Sequence, residues 1–176
     1  MCKLTFPFAL SHISTWEGGF SLHKWDPGGA TNHGITRKTL SAWRGYKVSV
    51  EEVRALTPEE AGEIYRKNYW DRCRCHSLPP ALAFAVFDSA VNQGTGGASK
   101  CLQKAVGAKV DGQIGPKTIN LVQAAIHSRG EEDVLLSFCA RRGVRYSWSS
   151  IFKIAGFGWL RRLLDTHQKA HTLLKG

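Results

Sequence analysis

Ala81 to Phe87 is the longest apolar run without a charge, seven residues, and Ala90 and Val91 extend it at helical spacing. Seven residues fall far short of the roughly 20 needed to cross a bilayer, so other parts of the chain must cover this segment. Pro79-Pro80 precede it and Gly94 follows it, which are helix start and stop signals. The pattern predicts a central buried helix with Ala83, Val86, Phe87, Ala90 and Val91 as its stripe. The chain has 176 residues and is 43% apolar and 10% aromatic. That suits one domain with a sizeable core and is unlike a disordered chain.

The elements around that helix are mostly helical as well. Phe6, Ala9, Leu10, Ile13 and Trp16 recur at spacings of three and four, predicting an amphipathic helix with Pro7 near its first turn and Gly18-Gly19 as its stop. Phe20 to Ile35 is rich in Gly and Asn and carries Asp26-Pro27-Gly28-Gly29, the chemistry of an irregular hairpin or loop. Thr36 to Trp43 reads as a short helix. Thr57-Pro58-Glu59-Glu60 is a capping box that opens a helix through Ile64, Tyr65 and Tyr69-Trp70. Further helices are expected over Lys100 to Val106, over Thr118 to Ile126 after Gly115-Pro116, and from Glu131-Glu132-Asp133 through Phe138. The last runs from Trp159 to Leu174, with Trp159, Leu160, Leu163 and Leu164 as a buried stripe. Alternating β-patterns are scarce. The expected fold class is mainly α, with at most a small β-hairpin or irregular loop after the first helix.

The net charge of +10 and isoelectric point near 9.6 point to a polyanionic partner: nucleic acid, an anionic membrane or a bacterial wall. No nucleic-acid-binding motif is recognised. The five cysteines are odd in number, and Cys73-Arg74-Cys75 lacks zinc-ligand spacing. Free thiols in a reducing compartment are expected, and no metal site. Met1-Cys2-Lys3 and the short apolar stretch after it lack a signal peptide's long apolar core and small-residue cleavage site. The expectation is a chain made in the cytoplasm.

The acidic residues sort by elimination. Glu51, Glu52, Glu59, Glu60 and Glu63 fall on polar helix faces or caps, Glu131 to Asp133 start a helix, Asp111 is a turn residue, and Asp165 sits among cations. Glu17, Asp26, Asp71 and Asp88 remain. Glu17 follows Leu10 and Ile13 on an apolar face and stands at its helix C-terminus. Apolar neighbours and the negative end of the helix dipole both disfavour a charged carboxylate, and a carboxyl kept protonated is what a general acid needs. Asp26 comes nine residues later, before a turn able to fold it back towards Glu17. Two carboxylates of different environment across a cleft are what glycoside hydrolysis requires. A plainer alternative, a helix-end Glu and a turn Asp, stays open on the pattern alone.

Glu17-Gly18-Gly19-Phe20, followed by Asp26-Pro27-Gly28-Gly29-Ala30-Thr31-Asn32-His33-Gly34-Ile35-Thr36, resembles the opening of glycoside hydrolase family 108, the phage endolysin and secretion-associated N-acetylmuramidase family. Tyr65 to Tyr69-Trp70, the block Phe87 to Gly94, and Gly158-Trp159-Leu160-Arg161-Arg162 match further on. Leu102-Gln103 and Val110-Asp111-Gly112-Gln113-Ile114-Gly115-Pro116-Lys117-Thr118 are similar to the peptidoglycan-binding motif in that family's second half. The resemblance implies a lysozyme-like helical fold over 1–176, one globular unit with a catalytic half (1–92) and a peptidoglycan-binding-like half (93–176). It implies hydrolysis of the β-1,4 bond between N-acetylmuramic acid and N-acetylglucosamine without a cofactor.

Glu17 matches the family's catalytic glutamate, and Asp26 a recurrent position. Phage lysozymes place an Asp nine positions after the Glu and a Thr shortly after that. Thr31 suits this third role, and Thr36 is the alternative, equally readable as an N-cap. Expected sugar contacts are Trp25 as a stacking platform, Asn32, His33 and Thr36. Tyr69 also belongs to this set unless it is core. So do Asp88 and Asn92, four apart on one helical face, unless they make buried packing hydrogen bonds. The expected partners are peptidoglycan strands and the anionic envelope, for a monomer without nucleic acid or stable membrane insertion. Action in the periplasm or on the wall then requires holin-type or other export independent of a signal peptide. A lytic transglycosylase, a non-catalytic wall-binding secretion helper and a cationic membrane-disrupting protein are the competing readings.

Overall fold

The computed structural model describes residues 2–22 and 29–175, with side chains from Phe6 to Leu22 and from Gly29 to Leu174. The described chain is mainly helical. It divides into two compact units, Leu10–Asn68 and Met1–Ala9 with Tyr69–Gly176. The expected halves meet at 92 and 93 instead.

Helix α1 spans Cys2–Trp16. It starts before the predicted first turn, so Pro7 lies inside the helix, where its ring nitrogen has no proton to donate. Strands β1 (Ser21–Leu22), β2 (Ala30–Asn32) and β3 (Ile35–Thr36) follow. They form an antiparallel sheet in the order β1-β2-β3, one strand more than the expected hairpin. Ser21 pairs with Thr31 and Thr31 with Thr36, while Asn32 pairs with Ile35. His33 and Gly34 connect β2 to β3 with φ of 49° and 73°, the two positive values of a type I′ turn, whose twist matches the strands. Successive residues point to opposite faces. Ala30, Asn32 and Ile35 are buried, and Thr31 and Thr36 are half-buried.

Three short helices complete this unit, and each starts on a side-chain cap. Thr36 caps α2 (Arg37–Arg44), Ser49 and Glu52 form the capping box of α3 (Val50–Arg54), and Thr57 caps α4 (Pro58–Tyr65) with Pro58 in its first turn. Arg44 ties the three together, donating to Glu60 at 2.9 and 2.7 Å and to Glu52 at 3.2 Å. Its hydrogen bonds hold Glu60 below the ordinary carboxylate range, and the Ser49 backbone N–H does the same for Glu52. These glutamates are framework residues, as the elimination requires.

A π-helical turn at Arg66–Asp71 and a 3₁₀ turn at Cys75–Ser77 lead to α5 (Pro80–Gln93). Every residue from Ala81 to Ala90 is buried, as an all-round apolar helix demands. Helices α6 (Thr95–Ala105), α8 (Glu131–Ser147) and α9 (Phe152–Thr172) pack on it, and α7 (Pro116–Arg129) packs on α8. Phe6, Trp70 and Phe87 make an aromatic cluster with centroids 5.2 to 5.7 Å apart, so Trp70 is core. One polar constellation is buried with them. Asp88 accepts from Arg162 Nε at 2.8 Å and Thr166 Oγ1 at 2.9 Å, and pairs with Arg142 Nη2 at 2.6 Å.

The constellation sets the rotation of α9. Arg162 and Thr166 face Asp88, and Gly156, Leu163 and Ala170 are buried with them. Leu160 and Leu164, expected in the core, are therefore exposed together with Ile154 and Phe157.

Candidate active site

Glu17 is the first residue past α1, and its N–H still donates to the Ile13 carbonyl at 2.9 Å. The helix end thus fixes the direction in which its side chain leaves. Gly18 and Gly19 follow and are exposed, and a Cβ on either would meet nothing within 4 Å. Their value is an unobstructed approach to Glu17. Glu17 lines a cavity of about 210 Å³. Leu10 and Ile13 of α1 and Pro58, Ala61 and Gly62 of α4 form its apolar wall. Ser14, His33 and Tyr65 are the other polar side chains. A half-buried carboxyl between apolar walls and an open glycine edge is suited to meet a leaving oxygen.

The β2–β3 turn holds the other side of this carboxyl. The Tyr65 hydroxyl donates to the His33 carbonyl at 2.9 Å, tying α4 to the tip of the turn. A Cβ on Gly34 would collide with the Tyr65 hydroxyl and lie 2.9 Å from Glu17 Cγ. At φ of 73° a side chain is already disfavoured. Only glycine lets the turn backbone come this close to Glu17 and Tyr65. A second close approach sits at Gly62, whose missing Cβ would lie 3.0 Å from Leu10 Cδ2, letting Leu10 pack tightly on α4.

Of the residues expected from sequence, the structure brings Glu17 and His33 to one cavity. Trp25 and Asp26 lie outside the described residues. Thr31 stands half-buried on β2 between Ser21 and Thr36, three hydroxyl residues in cross-strand register. Thr36 caps α2, its hydroxyl accepting from Thr39 N at 3.2 Å. Tyr69 is half-buried in the π-helical turn.

Three expectations need correction or a new place. Asn32 points to the buried face of the sheet, where its amide nitrogen donates to the carbonyls of Val53 and Arg54 at 3.1 and 3.0 Å. Those are end-of-helix acceptors of α3, so Asn32 caps a helix instead of facing a sugar. Asp88 is 1% exposed inside its arginine pair and has no surface to offer a glycan. Asn92 accepts from the Tyr146 hydroxyl at 2.7 Å and lines a cavity of about 360 Å³ with Gln93, Arg145, Tyr146, Trp148 and Trp159, which does not include Glu17. In the peptidoglycan-binding-like motif, Gln103 donates to Asp111 at 2.7 Å and to the Gln113 carbonyl at 2.9 Å, and accepts from Gly112 N at 2.9 Å. These polar side chains shape their own loop.

Tyr65 and Gly34 also belong to the Glu17 site. By sequence alone Tyr65 is a helix-face aromatic and Gly34 one glycine of a turn. The sequence signal for Gly34 was its place after His33 between two short β-prone stretches, a two-residue hairpin loop. Nothing local marks Tyr65 as the turn's anchor. Among the described residues no group of three or more His, Cys, Asp or Glu is placed to hold a metal ion.

Residues 10–94 match the family model described as glycosyl hydrolase 108, and residues 97–164 match a model described as a predicted peptidoglycan domain. Among solved structures, SagA of Brucella abortus is 40% identical, with a TM-score of 0.86, and the match covers 99% of this chain and 98% of that one. No curated protein matches the chain.

Proposed function

Because the chain belongs to the glycosyl hydrolase 108 family and is a glycoside hydrolase acting on peptidoglycan, we propose that it is an N-acetylmuramidase with Glu17 as general acid. The bond cleaved is the β-1,4 link from C1 of N-acetylmuramic acid to O4 of N-acetylglucosamine. Glu17 gives its proton to O4 as the C1–O4 bond breaks. Water adds to C1 and loses a proton to the Asp26 carboxylate, with the Thr31 hydroxyl orienting that water. The observation that carries the reading is the position of Glu17, half-buried at a helix end against an apolar wall, with a glycine pair beside it. Neither Asn32 nor Asp88 has a part in it.

The stereochemical outcome follows from the separation of the two carboxyls: about 5–5.5 Å goes with retention and about 6.5–9.5 Å leaves room for a water and inversion. By likeness to phage lysozymes the expected outcome is inversion. We place the reaction in the periplasm or on the wall, reached by holin-type or other export.

The test is digestion of purified peptidoglycan by the wild type and by Glu17→Gln, with mass and reducing-end analysis of the products. The amide keeps the shape and removes the proton, so the rate falls by about 10²–10⁴-fold. Products end in hydrated muramic acid. Glu17→Gln cleaving at the native rate overturns the assignment, and 1,6-anhydro ends make the enzyme a lytic transglycosylase.

A further inference from the structure

Ile154, Phe157, Leu160 and Leu164 recur along one face of α9, opposite the face that carries Leu163, Thr166 and Ala170. Ile154 is 88% exposed, Phe157 82% and Leu164 68%. Single exposed apolar residues are ordinary, but a contiguous stripe of large ones marks an interaction surface. Trp148 and Ile151, just before the helix, are also exposed.

The charge around this stripe is mostly positive, and Asp165, the acid that follows Leu164, is paired with Lys169 at 3.1 Å. No Asp or Glu occurs from Val134 to Leu164. Lys153 and Arg161 stand exposed on the same face of α9 as the stripe. Trp148, where the apolar series begins, also lines a cavity of about 360 Å³ walled by Lys100, Lys104, Arg141 and Arg145, with no acidic side chain. Lys104 Nζ lies 5.0 Å over the Trp148 ring. Apolar tips ringed by cations with an aromatic at the edge are the makings of an interfacial helix. No described helix is long and apolar enough to cross a membrane, so such a helix would lie flat.

We propose that the outer face of α9, with the cationic cavity beside Trp148, docks the protein on an anionic phospholipid surface. Ile154, Phe157 and Leu164 enter the acyl boundary, and Lys153, Arg161 and the cavity cations meet lipid phosphates. A second copy of the chain fits less well, because an antiparallel two-fold contact centred on Phe157 would bring Lys153 of one copy up against Arg161 of the other. A glycan strand offers hydroxyls and amides but no hydrocarbon for Phe157 and Ile154.

The experiment is co-sedimentation of the full chain with vesicles of equal parts phosphatidylglycerol and phosphatidylethanolamine, against vesicles of phosphatidylcholine. Binding is expected to the anionic vesicles and to fall with added salt. Ile154→Asp/Phe157→Asp should weaken it by at least about tenfold, since each buried apolar side chain contributes on that order. Lys153→Glu/Arg161→Glu should weaken it by at least about tenfold, each cation near the surface contributing about fivefold. Both variants alter exposed side chains, so melting temperature and cleavage of soluble glycan should stay native. Three results overturn the proposal: no difference between the two vesicle types, native binding by the Asp variant, or a wild-type dimer in sedimentation equilibrium that the Asp variant dissolves.

Discussion

Asp88→Asn separates a framework residue from a glycan contact. The carboxylate is 1% exposed, lies 2.6 Å from Arg142 and 2.8 Å from Arg162, and accepts the Thr166 hydroxyl at 2.9 Å. An amide of the same size removes the charge and turns one acceptor into a donor facing a guanidinium. Two buried guanidiniums are then left without an anion, and breaking a buried pair in this way costs about 3–5 kcal/mol. In a domain of this size each kcal/mol moves the midpoint by about 2–4 °C, so Tm should fall by about 6–20 °C. Thermal melting and urea titration by circular dichroism measure the loss, and cleavage of purified peptidoglycan below the transition should stay near native. A companion triple variant, Asp88→Leu, Arg142→Leu and Arg162→Met, removes all the charges together and should regain much of the stability. A variant that melts like the wild type but no longer cleaves would refute the reasoning, because it would put Asp88 at the substrate.

The other predictions concern the turn beside Glu17 and the buried thiols. Gly34→Ala places a Cβ against Glu17 Cγ and Tyr65 at positive φ. It should cost about 1–2 kcal/mol for the left-handed backbone and lower cleavage by about 10²-fold through misplacement of the acid, read by melting and initial rates. Native activity would show that the turn does not set Glu17. Tyr65→Phe leaves the His33 carbonyl without its donor and should lose about 0.5–1.5 kcal/mol, measured by urea unfolding. At alkaline pH the chain should loosen. Burial pushes the Cys73 thiol up to about 11 and Cys139 up to about 12. The unfolded chain releases those protons near the ordinary thiol value of about 8.5. Stability is therefore full below that value and falls as pH rises towards 11–12, where the native thiols ionise. A urea midpoint unchanged between pH 8 and pH 10 would contradict this.

Local signals placed the elements well because each was written in a few adjacent residues. Thr57-Pro58-Glu59-Glu60 does start a helix, Pro80 begins α5, and the run after it is buried all round. Glu17 stood out because an acid on an apolar face before two glycines is rare. What escaped depends on partners distant in sequence. Asn32 reads as one polar residue of a loop until β2 pairs with β3 and turns it towards the carbonyls of Val53 and Arg54. Asp88 and Asn92 share a helical face, yet Asp88 finds Arg142 and Arg162 while Asn92 finds Tyr146. The pattern that groups them carries no information on which neighbour each meets. The early start of α1 was hidden by Pro7, a helix breaker that the flanking Phe6 and Ala9 hold in place by being buried.

The last helix shows the same competition in energetic form. Two faces of α9 qualify for burial by spacing alone. One offers Leu160 and Leu164 with Ile154 and Phe157, and the other Leu163 and Ala170 with Arg162 and Thr166. Turning the first inward would gain about 1.5–3 kcal/mol per leucine buried. It would also expose Leu163 and Ala170 and draw Arg162 and Thr166 away from Asp88, a carboxylate already sealed inside an apolar helix. Stranding that charge costs about 3–5 kcal/mol, and the same rotation would take Leu163 and Ala170 out of the core. The face that serves Asp88 is the one turned inward, and four large apolar side chains are left exposed. A chain without a further use for that stripe tolerates polar residues there at no loss of stability. Replacing Ile154 and Phe157 by Asp thus leaves Tm within a degree or two of native while removing whatever the outer face contacts, because the packing that fixes α9 lies entirely on its other side.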